Sequence, residues 1–65
     1  MWLITYTQKS VHSDRAITAN TVLEPGCSPA VWLAGALKMY PTADTRLLFA
    51  LEIPEEEGLY LRQVL

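Results

Sequence analysis

A chain of 65 residues has room for one domain, and folding at this size removes only roughly 60% of the unfolded chain's surface from water. Apolar residues make up 51% of it, more than one helix on one sheet face easily hides, so a protein partner is expected, a second copy giving a homodimer first among candidates. The net charge is −2 and the five basic residues, Lys9, Arg15, Lys38, Arg46 and Arg62, are scattered singly. That spacing lacks the clustered cations that hold duplex nucleic acid, and Glu52 with Glu55, Glu56 and Glu57 is too little acid to imitate a duplex.

One cysteine, Cys27, excludes an intrachain disulfide, which favours a cytoplasmic setting. The opening run Met1 to Thr7 has no cationic stretch and turns polar at once, unlike a signal peptide. The longest apolar run, Ala30 to Leu37, is about half of a membrane span, so no membrane association is expected.

Residues 2–8 alternate Trp2, Ile4 and Tyr6 against Leu3, Thr5 and Thr7, the pattern of a strand with one face toward a core. Gln8 to Arg15 is polar and turn-rich. Ala16 to Leu23 alternates again, with Ile17, Ala19, Thr21 and Leu23 in phase, so the two strands form a hairpin with a long loop. Glu24-Pro25-Gly26 is a turn, because proline presets φ at its first central position and glycine accepts positive φ at the second.

Ser28-Pro29 reads as an N-cap followed by proline at the first helical position. Trp32, Leu33, Ala36, Leu37 and Tyr40 then share one side at helical spacing, Ala34 and Lys38 lie opposite, and Pro41 stops the run. Gly35 sits inside this helix at a cost of about 1 kcal/mol against alanine, which suggests close packing on the sheet. Arg46 to Ile53 is a third strand with Leu47, Phe49, Leu51 and Ile53 in alternation toward the helix, and Leu48, Ala50 and Glu52 on the other side. A right-handed crossover that skips the middle strand makes it antiparallel to the first, in the order 2-1-3.

Pro54 to Leu65 has two readings. Proline and three glutamates suit a helix start, the anionic side chains favouring the positive end of the helix dipole, with Leu61, Val64 and Leu65 as its stripe and Gly58 as a blemish. Alternatively Pro54 to Gly58 is a hairpin loop and Leu59 to Leu65 a fourth strand; the helix is preferred. The expected fold is thus a small single α+β domain over residues 1–65: β-β-α-β with an antiparallel sheet packed on one helix, plus a C-terminal helix or fourth strand.

Chemistry-bearing residues are few. A thiol near a helix N-terminus gains reactivity, and His12 is the one available base, but a cysteine in a turn beside one loop histidine is not a spaced motif. A metal needs three or four ligands where this chain offers one cysteine and one histidine. Gly26, Gly35 and Gly58 are isolated and form no phosphate loop, so no cofactor is expected. Trp2, Tyr6, Trp32 and Tyr40 occupy core-facing positions rather than a stacking platform for bases.

The sheet face away from the helix, with Leu3, Leu48 and Ala50, is the candidate partner-binding surface unless Tyr60, Leu61 and Val64 fold over it. The expectation is a non-enzymatic protein that binds or regulates by contact, resembling bacterial or phage accessory proteins in size and style alone. The alternatives are a nucleic-acid-associated module, using Lys9, Arg15, Arg46 and Arg62 gathered in space, and a small thiol-dependent enzyme.

Overall fold

A computed structural model describes residues 1–65, with five elements in chain order: β1 (Trp2–Ser10), β2 (Ile17–Val22), α1 (Pro29–Met39), β3 (Ala43–Glu52) and α2 (Glu55–Val64). The strands form one antiparallel sheet in the order β2-β1-β3, so the first strand of the chain is its centre. Both strand pairs agree with the expected α+β topology. No helix is long and apolar enough to cross a membrane.

Local chemistry explains where the elements begin and end. The Glu24 carbonyl accepts from the Cys27 N–H at 3.0 Å, and Gly26 at φ +84° supplies the positive φ that this tight turn needs after Pro25. Ser28 then caps α1, its Oγ accepting from the Val31 N–H at 3.2 Å, with Pro29 in the first turn where a missing N–H costs nothing. At the other end the Tyr40 N–H donates to the Ala36 carbonyl before Pro41 halts the helix. The C-terminal segment is the helix, not the fourth strand. It carries Glu55, Glu56 and Glu57 in its first turn, and the Gly58 N–H donates to the Pro54 carbonyl at 3.0 Å.

Strand pairing fixes the two faces. On one side Trp2, Ile4, Tyr6 and Gln8 of β1 sit opposite Thr21, Ala19 and Ile17 of β2. α1 lies on this side, where the Tyr6 and Trp32 rings meet at 4.7 Å with a 52° tilt, one of the offset geometries aromatic pairs favour. The core is small: Ile4, fully buried, together with Val22, Leu23 and Ile53. Thr45 is buried too, and its Oγ1 accepts from Gln8 Nε2 at 3.1 Å, so its hydroxyl is not left unpaired.

Strand β3 departs from the expected phase. Thr5 pairs with Phe49 and Tyr6 with Leu47, which leaves Leu48 as a bulge without a partner on β1. One extra residue reverses the side on which all later residues emerge. Leu47 and Ala50 therefore share the α1 side with Tyr6 and Ile4, while Phe49 and Leu51 share the opposite side with Thr5 and Leu3. The expected placement of Phe49 and Leu51 under the helix, and of Ala50 away from it, is corrected by this bulge. β3 also begins earlier than expected, at Ala43, because β1 runs on to Ser10 and pairs with it there.

The two helical glycines exchange the roles expected of them. A Cβ built on Gly35 meets nothing within 4 Å, so no contact within the chain requires that glycine. A Cβ on Gly58 would stand 2.7 Å from Met1 Sδ and 2.9 Å from Met1 Cβ. Gly58 is the close-packing site, and it lets α2 pass directly over Met1. α2 crosses the end of the sheet: it leaves β3 at Ile53, passes Met1, and brings Arg62 Nη2 to 4.0 Å from Glu24 Oε1 beyond β2.

Candidate functional site

The residues with reactive side chains do not converge. Cys27 lies beside Met1 and Trp2 at one end of β1, half-buried, with its Sγ 3.7 Å from the Ser28 carbonyl oxygen. His12 sits in the loop after Ser10 at the other end, its N–H donating to Ser10 Oγ at 3.2 Å. At the rise of an extended strand, Trp2 and Ser10 are ~26 Å apart, so the thiol and the imidazole form no catalytic pair. No group of three or more His, Cys, Asp or Glu side chains gathers in a way that holds a metal ion. Glu55, Glu56 and Glu57 are exposed in the first turn of α2, where they complement its dipole.

The cations stay dispersed as well. Arg46 Nε donates to both carboxylate oxygens of Asp44, at 3.1 and 3.3 Å, and Arg62 approaches Glu24. Lys9 pairs across the sheet with Asp44, so both basic residues on that part of the sheet share an acidic neighbour. This gathers no field of one sign along which a phosphate backbone tracks.

What the fold does present is apolar surface. Thirteen large apolar side chains are exposed against four apolar residues in the core, a balance that makes surface contacts rather than an internal cavity the place to look for function. Phe49 and Leu51 belong to one area on the open sheet face, and Val31, Leu37, Met39 and Tyr40 to a second on the α1 side.

The first is the open sheet face. Phe49 is 52% exposed and Leu51 47%, and they stand next to half-buried Leu3 and Thr5 on the side away from α1. Across β1, polar Thr18 and Asn20 of β2 stand opposite Thr7 and Thr5 on the same side; the Thr5 hydroxyl donates to Asn20 Oδ1 at 2.6 Å. α2 closes this face only at one end, where Val22 opposite Leu3 is buried and Gly58 packs on Met1; toward β3 it stays open, and Tyr60 and Val64 remain exposed while Leu61 is half-buried. Of the three residues expected to form a partner surface, Leu3 lies on this side, Leu48 is exposed at the bulge, and Ala50 is half-buried on the α1 side opposite Ile4. Phe49 and Leu51, which the alternation assigned to the core, take its place.

The second area is α1. Its sequence PAVWLAGALKM holds one charge, Lys38, yet none of its residues is buried. Trp32, Leu33 and Ala36 are half-buried toward the sheet, whereas Leu37 and Tyr40, expected beside them, are exposed. Val31 and Met39 are 65% and 72% exposed. Between the helix and Tyr6 runs an open groove of about 450 Å³, lined mainly by apolar side chains and bordered by Val31, Gly35 and Met39. Helical periodicity concealed this surface, since it places one apolar stripe toward the sheet and sets Ala34 and Lys38 opposite, leaving Val31 and Met39 out of the pattern. The readable signal was one charge in the whole helix, because a helix apolar all round is normally a buried one.

No protein-family model matches the chain, and comparison with curated proteins and with solved structures gives no match.

Proposed function

We propose that this protein works by contact, as a small non-enzymatic binding or regulatory protein whose open sheet face receives another protein. The observation that carries the reading is the exposure of Phe49 and Leu51 beside Leu3 on the β3 side of a face that is covered only toward Val22. Aromatic and aliphatic side chains held on a strand lose little conformational freedom when a partner covers them, and a polar border of the kind Thr18 and Asn20 provide is typical of interface rims. Leu48, exposed at the bulge next to Phe49, adds a further apolar side chain on β3. The dispersed, partly paired cations and the separation of Cys27 from His12 favour contact over the nucleic-acid and thiol readings.

The test is capture on the immobilised chain from an extract of the cells that produce it, then titration of the purified captured protein against wild type, Phe49→Lys and Leu51→Lys. Weakening of at least about tenfold by either lysine, corresponding to ~1.4 kcal/mol, is expected in folded variants. Binding that both variants retain at full strength refutes the assignment of this face.

A further inference from the structure

On the other side of the sheet, we infer that α1 is a self-association surface: two copies pack α1 against α1 about a twofold axis through Gly35. This goes beyond the contact reading of the sheet face and does not use its residues.

Surface area gives the first support. The chain exposes 4843 Å², whereas a folded monomer of 7.3 kDa exposes about 4,200 Å². The excess, about 650 Å² per chain, is close to the ~600–1,000 Å² that each partner contributes to a standard-size interface. One interface per chain brings the exposed area toward that of an ordinary folded protein.

The helix itself identifies the place and the occupant. α1 is the apolar element that contributes nothing to the buried core. In a twofold contact the residue on the axis meets its own copy, so the position that tolerates the closest approach is one with no side chain. Gly35 lies one residue from the middle of α1, faces open space, and is required by nothing within the chain. Val31 and Met39 stand one helical step of four residues to either side, so an antiparallel copy places each Val31 against the partner's Met39. The smaller side chain thus meets the larger at both ends. The groove beside Tyr6 and Trp32 supplies the depth into which the flexible Met39 side chain of the second copy fits. Lys38, the lone charge, faces no second acidic or basic residue on α1 and remains at the rim.

Sedimentation equilibrium, or light scattering behind a sizing column, on the full chain from low to high micromolar concentration measures the mass. Wild type is expected to approach twice the chain mass. Gly35→Leu places a good helix former where the single chain has room, so the monomer folds, but it separates the two helices; the dissociation constant is expected to rise about 10- to 100-fold, the usual penalty range for overpacking. Met39→Lys, at an exposed position in the last helical turn, gives a second disrupted interface without loading the core. A wild-type chain that stays monomeric throughout overturns the inference, as does a dimer that tolerates both substitutions. A dimer broken by Phe49→Lys but not by Gly35→Leu overturns it too, assigning self-association to the sheet face instead.

Discussion

Gly58→Ala separates two opposing effects that the structure allows to be weighed. In the interior of a helix, alanine is favoured over glycine by about 1 kcal/mol, and on that ground alone the substitution stabilises α2. The added methyl, however, falls 2.9 Å from Met1 Cβ and 2.7 Å from its Sδ. The sulfur end can swing aside; the Cβ cannot, because Met1 N donates to the Ile53 carbonyl at 3.1 Å and the Ile53 N–H donates back to Met1 at 2.8 Å. Relief must come from α2 lifting off, and overpacking of this kind costs ~1–3 kcal/mol. Set against the helix gain, the net loss is about 1 kcal/mol, which in a domain of this size lowers Tm by ~4–8 °C. Thermal unfolding followed by circular dichroism, on protein dilute enough to be monomeric, measures it. Gly35→Ala is the internal control, since its Cβ meets nothing and stability is expected to rise by up to about 1 kcal/mol. Equal stabilisation by both alanines refutes the packing of Met1 against α2.

Ser28→Ala removes the oxygen that accepts from the Val31 N–H, and a loss of about 1 kcal/mol is expected; an unchanged urea midpoint refutes the cap. Leu48→Lys is expected to leave the far-ultraviolet circular dichroism native, since the bulge residue is exposed and no part of α2 covers it. An unfolded variant shows that Leu48 is buried after all, because an unpaired ammonium is costly only where water is excluded.

Much of the fold was legible because each local signal had one meaning. Ser28-Pro29, the Pro25-Gly26 turn and the alternation of β1 set the elements, and the crossover rule then gave the strand order. β3 was different. Residues Leu47 to Leu51 are apolar at five consecutive positions, and such a run fits either face of a sheet, so its phase depends on the pairing with β1 rather than on the run itself. The bulge at Leu48 is a product of that pairing, and it moved Phe49 and Leu51 from the expected core to the candidate surface. The glycines failed for a related reason: propensity gives the cost of glycine in a helix, but only the neighbour, Met1 at Gly58 and open space at Gly35, shows whether the cost is repaid by contact.

The position of β1 at the centre of the sheet has a consequence for how the chain acquires its structure. β2 follows β1 after the six residues 11–16, a loop long for a hairpin but far shorter than any closure to β3, so the hairpin forms on the microsecond scale, ~1–10 μs. β3 is remote: Trp2 pairs with Glu52 and Ser10 with Ala43, so every pairing between them spans at least half of the chain. The entropy of closing that long loop is lost before any β1–β3 bond forms, which places the rate-limiting step at the docking of β3 and slows folding relative to helical proteins of equal length. During synthesis the hairpin emerges first and its β1 edge, carrying Ile4, waits unpaired until residues 43–52 have been made. An apolar strand edge left unpaired in that interval is open to pairing with other chains, so the delay before β3 docks is the stage of folding most exposed to aggregation.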